Sequence, residues 1–219
     1  MLNVDAYSLY RDLFQVFGET KWWPGETEDE IIVGAILTQN TAWSNVERSL
    51  ARIREEGLMS LSALAKVDQN TLIELIRSSG FYNQKSRTVL ELTHRIKDRF
   101  GTVERMKKED TDILREFLID VPGIGQETMD AILCYALDKP LFVVDKYALR
   151  ILGRLGVNDV TTIAQVKNYV HSSMGDDLEK LKNFHGLFVN FAKEYCRSKP
   201  NCKICPLQRK CDYGLSNGN

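Results

Sequence analysis

Apolar residues recur along most of this chain at steps of three and four, the spacing that lines one face of an α-helix. Val4, Tyr7, Tyr10, Leu13, Phe14 and Phe17 form such a face over residues 4–17, and Gly18 ends it. Ile31, Ile32, Ala35 and Ile36 mark an apolar helix over 28–39, after which Asn40 or Thr41 caps a helix over 42–56. Short helices follow to Val67 and over 70–78, and Gly80-Phe81-Tyr82-Asn83 turns the chain into a long helix ending at Phe100-Gly101. Residues 110–119, 126–137, 146–155, 162–174 and 177–197 also carry the helical pattern. No run of strands, internal repeat or low-complexity linker interrupts the series. The fold class is all-α.

Within the pattern, Val121-Pro122-Gly123-Ile124-Gly125 makes a tight turn between two helices. Pro122 cannot continue the first helix, and Gly123 and Gly125 permit backbone angles and close approaches that a side chain would block. This is a helix-hairpin-helix. Its glycines leave amide N–H groups bare at the start of the second helix, where the helix dipole adds partial positive charge, so a phosphate can sit there without a basic side chain. The same five residues also suit a plain helix–helix turn. After the second helix, Leu141-Phe142-Val143-Val144 leads to Asp145, placed to cap the helix that begins at Lys146.

Composition narrows the function classes. The 219 residues include 29 Lys plus Arg against 30 Asp plus Glu, a formal charge of −1, so any face for nucleic acid is local rather than global. The apolar runs are too short and too charged to span a membrane, and the N-terminus lacks a secretory pattern; the expectation is an intracellular protein of the cytoplasm, near the nucleoid. Cys196, Cys202, Cys205 and Cys211 follow C-x5-C-x2-C-x5-C close to the C-terminus. Without a secretory signal, a single metal centre suits them better than disulfides, with Lys193, Arg197, Lys199, Lys203, Arg209 and Lys210 crowded alongside. Cys134, inside the second hairpin helix, reads as a packing residue.

Helix-hairpin-helix, a short apolar segment and Val-Asp opening a helix together resemble the endonuclease III superfamily of DNA glycosylases, over nearly the whole chain. The resemblance implies two helical domains, residues 1–28 plus 139–219 and residues 29–138, acting as a monomer on double-stranded DNA with a damaged base. It makes Asp145 the catalytic aspartate and the hairpin positions Val121, Gly123 and Gly125 DNA contacts. The segment Leu37-Thr38-Gln39-Asn40-Thr41 is similar to the one whose glutamine enters the gap left by an extruded nucleotide, which makes Gln39 the candidate. Gly80-Phe81-Tyr82-Asn83-Gln84-Lys85 is similar to the family segment that wedges an apolar side chain into the base stack, which points to Phe81. The family carries a [4Fe-4S] cluster on its four cysteines, with six residues in the first gap where this chain has five; zinc is the alternative metal.

Bifunctional relatives carry a lysine nucleophile eighteen residues before the aspartate, and here that position is Glu127, which cannot form an imine. The reading is a monofunctional glycosylase, with water as nucleophile and Asp145 stabilising the sugar cation or orienting the water. Lys146 adjoins Asp145 but faces another way along the helix, as a phosphate contact. Trp22, Trp23 and Pro24, with Trp43, resemble the base pocket of the 3-methyladenine DNA glycosylase III branch, which also has glutamate at the lysine position. A 3-methylated purine is cationic and is attracted to electron-rich ring faces. The competing readings are an endonuclease III-like glycosylase and lyase for oxidised pyrimidines, and a non-catalytic DNA-damage-binding protein.

Overall fold

The computed structural model describes residues 4–157 and 160–217, and every regular element among them is helical. In chain order these are α1 (Ala6–Phe17), α2 (Glu28–Leu37), α3 (Trp43–Glu55), α4 (Leu61–Leu64), α5 (Gln69–Ile76), α6 (Tyr82–Arg99), α7 (Val103–Met106) and α8 (Thr111–Ile119). They continue as α9 (Gln126–Ala131), α10 (Lys146–Leu155), α11 (Ile163–Met174), α12 (Leu178–Glu194) and α13 (Asp212–Asn217). The all-α expectation holds, with local differences. The helix expected over 126–137 is α-helical only to Ala131 and then winds into a π-helical turn, Ile132–Ala136, all of it buried. Two short helices, α7 and α13, were not legible, because a single turn carries too few apolar repeats to register.

Short polar side chains open most of these helices. Asp5, Thr27, Ser60, Asp68, Thr102, Asp110, Asp145, Thr162 and Asp177 each accept a first-turn backbone N–H, a contribution of about 1 kcal/mol apiece. Among α1 to α12, only α3, α6 and α9 have no side-chain cap. The cap expected from Asn40 or Thr41 is therefore absent. Ala42 occupies the cap position, and the Thr41 hydroxyl instead accepts from Asn45 Nδ2.

The chain divides into two compact units, Met1–Trp23 with Pro140–Asn219, and Pro24–Lys139. In the first, α1 packs on α11 and α12. Its buried face is Ala6, Leu9 and Leu13, while Tyr7 and Phe14, read from sequence as part of the apolar stripe, are exposed. Small Ala6 sets the true face, and aromatic bulk misdirects the reading. The centre holds Phe142, Phe184 and Phe188, fully buried, with ring centroids 5.4 Å and 4.7 Å apart in sequence order. In the second unit α2 is the buried axis, packed by α3, α6, α9 and the π turn, with Ile32, Val33, Ala35, Ile36 and Leu37 all in the core.

Candidate active site

In the first unit the site is built at the start of α10. Asp145 is 7 % exposed, and its Oδ1 accepts from the backbone N–H groups of Tyr147 and Ala148 at 2.9 and 2.8 Å. Those bonds fix the plane of the carboxylate. They also leave Oδ2 as the second oxygen, and it lies 3.8 Å from Nε2 of buried His185. The His185 ring in turn meets Trp22 edge to face, centroids 6.4 Å apart, and Phe142 at 6.3 Å.

Trp22 is held there by its neighbours on α12. Asn183 Oδ1 accepts from both the backbone N–H and the hydroxyl of Thr20, at 2.8 and 3.0 Å. Gly186 permits the approach, since a Cβ at that position would fall 2.1 Å from Thr20 Oγ1 and 2.7 Å from Trp22 Cβ. The structure thus connects Trp22 to Asp145 through His185. A lone histidine within an apolar helix gave no sign of this in the sequence. Trp23 tilts against Trp22 with centroids 5.7 Å apart. Pro24 and Trp43 belong to the second unit, Pro24 exposed and Trp43 half-buried in the first turn of α3. Lys146 is exposed, with its ammonium 5.5 Å from the Tyr147 ring centroid.

In the second unit the hairpin joins α8 to α9. Gly123 has φ +93°, and a Cβ there would lie 2.2 Å from Thr88 Oγ1, which donates to the Pro122 carbonyl at 2.9 Å. Gly125 differs. Its φ of −96° suits any residue, and nothing lies within 4 Å of where its Cβ would be. Val121 is buried, so its side chain belongs to the core and only its backbone is left for a DNA contact. Glu127 is exposed in the first turn of α9, where the helix dipole favours a carboxylate.

Two further loops of this unit carry sequence-predicted residues. The Gln39 amide is engaged by the hairpin, donating to Gly123 O and Thr128 Oγ1, both at 2.9 Å. Phe81 is 67 % exposed in the left-handed region, φ +46° and ψ 31°. That conformation costs a bulky residue of order 1 kcal/mol or more, and it holds the ring out of the core. The three helices without a side-chain cap, α3, α6 and α9, follow these three loops. Behind them Lys85, not singled out by sequence, is 3 % exposed and donates from Nζ to Leu37 O at 2.8 Å and Ser79 O at 2.6 Å. Burial pushes its ammonium down to about 8.

The four clustered cysteines line one cavity together with Arg154, Tyr195 and Leu207. Among the described residues no three His, Cys, Asp or Glu side chains converge as a ready metal-binding group. Four cysteine sulfurs at one cavity are a donor set that either a zinc ion or an iron-sulfur cluster accepts. Gly214 N–H donates to Cys211 Sγ and Arg154 Nη1 to Cys196 Sγ, each at 3.3 Å, while the Cys211 thiol donates to Arg154 O at 3.1 Å. Burial pushes the Cys205 thiol up to about 11 and raises Cys211 as well. Of the basic residues beside them, Lys210 pairs with Asp12 at 2.6 Å and Lys193 lies 5.1 Å from the Trp22 ring centroid.

The described residues thus form an all-helical fold with an uncapped glycine hairpin, and with an aspartate at a later helix start beside a histidine and an indole. Residues 33–173 match the HhH-GPD superfamily of base excision DNA repair proteins, and the chain belongs to that family. It is a DNA glycosylase of the endonuclease III superfamily. It is 42% identical, over 94% of both chains, to a Methanocaldococcus jannaschii protein whose name assigns it provisionally to the DNA repair glycosylases. It is 27% identical to endonuclease III of Thermotoga maritima, over 84% of this chain and 82% of that one. Among solved structures, Helicobacter pylori 3-methyladenine DNA glycosylase bound to 1,N6-ethenoadenine is similar with a TM-score of 0.78 and 31% identity, covering 87% of this chain and 98% of that one. Among the described residues no helix is long and apolar enough to cross a membrane.

Proposed function

We propose that this chain is a monofunctional glycosylase that hydrolyses the N-glycosidic bond of alkylated purines such as 3-methyladenine in duplex DNA. The observation that carries the reading is Asp145 itself, one oxygen locked by two backbone N–H groups and the other directed toward His185 beside Trp22. A carboxylate fixed in this way stabilises positive charge growing on the sugar, or orients the attacking water, without first having to reorganise. Glu127 in place of an amine leaves water as the nucleophile.

The Lys193 ammonium stands over the Trp22 ring, 5.1 Å from its centroid, and would have to leave that face before a base could stack on it. A cationic purine would then bind there by attraction to the ring face and would need little acid assistance to leave. The similar H. pylori protein is a 3-methyladenine DNA glycosylase, which supports the same reading. Phe81 would enter the base stack, Gln39 would stand by the vacated position, and the bare amides of the hairpin and the exposed Lys146 would take phosphates. Cys196, Cys202, Cys205 and Cys211 would hold a [4Fe-4S] cluster, which when bound supplies a fixed fold for the basic loop rather than chemistry at the base.

The test measures release of free base from duplexes carrying 3-methyladenine, 7-methylguanine or thymine glycol, by wild type and by Asp145→Asn. The expected result is release of a methylated purine, reduced on the order of 10²- to 10⁴-fold in the variant, with binding to damaged DNA within about threefold because asparagine keeps the cap. Release of thymine glycol alone would overturn the substrate assignment. Near-wild-type excision by Asp145→Asn would reduce Asp145 to a helix cap.

A further inference from the structure

Lys85 stands where two helical segments end. Leu37 closes α2 and Ser79 closes the 3-10 turn Arg77–Ser79, so both carbonyls belong to helix C-termini, which lack intrahelical donors and carry partial negative charge. One ammonium bridges the two, at 2.8 and 2.6 Å. Each carbonyl lies two residues before a residue assigned above to the opened base stack, Leu37 before Gln39 and Ser79 before Phe81. One turn further along the same face of α6, Thr88 hooks the hairpin through Pro122 O, while Gln39 hooks it through Gly123 O. The start of α6 therefore ties three loops together. Burying an ammonium against uncharged partners is costly, and an apolar side chain of the same length would fill the space at less cost. What an apolar side chain cannot do is hold the two carbonyls at a fixed separation.

We propose that Lys85 is a positioning residue for duplex opening, locking the Phe81 turn to the Gln39 turn so that the wedge acts against a rigid base. The proposal rests on the assignment of Phe81 as the wedge. Without the bridge, force exerted by the stacked bases on Phe81 would be relieved by movement of the 77–81 segment, and less of it would go into unstacking. The effect is specific to DNA whose bases must still be separated. A site already unpaired should be bound almost as well.

The experiment uses the full chain and a duplex bearing a tetrahydrofuran abasic analogue opposite 2-aminopurine, whose fluorescence rises on unstacking. A second DNA places the same analogue in a preformed bulge. Wild type should brighten the duplex at saturation, and Phe81→Ala should abolish most of the rise. Lys85→Met should lose more than half of it and bind the duplex about tenfold more weakly, yet bind the bulge within about threefold, because unstacking costs a few kcal/mol per step and the bulge does not incur that cost. Wild-type brightening by Lys85→Met, or equal weakening on both DNAs, would overturn the proposal. Wild-type brightening by Phe81→Ala would instead remove the wedge assignment on which it rests. If Lys85→Met does not melt cooperatively, Lys85→Gln, which keeps donors but is too short to span both carbonyls, replaces it with the same two outcomes.

Discussion

At Lys85 a single proton links burial to stability. Its ammonium titrates at about 8 in the fold against 10.5 when free. Between those values the unfolded chain binds a proton that the native chain has shed, so unfolding takes up a proton and stability rises with pH. Below pH 8 both states are protonated and the full cost of burial is present. Wild type should gain up to about 3 kcal/mol between pH 8 and 10.5 relative to Lys85→Met, read from denaturant melts across that range; parallel pH profiles for the two proteins would contradict it. Lys85 stands in the segment Gly80–Lys85, but its role was not legible there, because its partners are carbonyls 48 and 6 residues away. His185 was hidden for a related reason. Its meaning comes from Asp145 and Trp22, which local spacing cannot bring together. Asp145, in contrast, was legible as an N-cap because capping is a local interaction.

At the scale of elements, the hairpin separates two glycines that look alike in sequence. Gly123→Ala must adopt φ +93° and displace Thr88 Oγ1 from 2.2 Å, so it should destabilise the protein by roughly 1–3 kcal/mol and loosen the Thr88–Pro122 contact. Gly125→Ala meets neither obstacle, and should change stability by less than about 0.5 kcal/mol. Thermal melts of the two variants measure the difference, and equal losses would refute this account of the turn. Helix positions were largely readable because three- and four-residue spacing repeats over many turns. The rotation of α1 was not, since Ala6, Leu9 and Leu13 make a quieter stripe than Tyr7 and Phe14. The missing cap on α3 shows the same limit. A cap is set by backbone geometry at Ala42, not by which polar residue stands nearest.

For the whole molecule, a charge of −1 conceals a basic segment around the cysteines in which Arg197, Lys199, Lys203 and Arg209 are exposed. If a [4Fe-4S] cluster holds that segment, anaerobically purified protein should be brown and contain about four iron atoms per chain, and chelation should unfold the C-terminal loop. A colourless protein with stoichiometric zinc and full activity would contradict the cluster. The central claim is that water, not an amine of the protein, attacks the sugar beside Asp145, with Glu127 at the position where an amine would stand. Borohydride added during turnover on alkylated duplex DNA tests this most directly, because it reduces an imine to a permanent protein–DNA link. The account predicts no trapped complex, with abasic product accumulating uncut until alkali is added. Efficient trapping by the wild-type protein would contradict it.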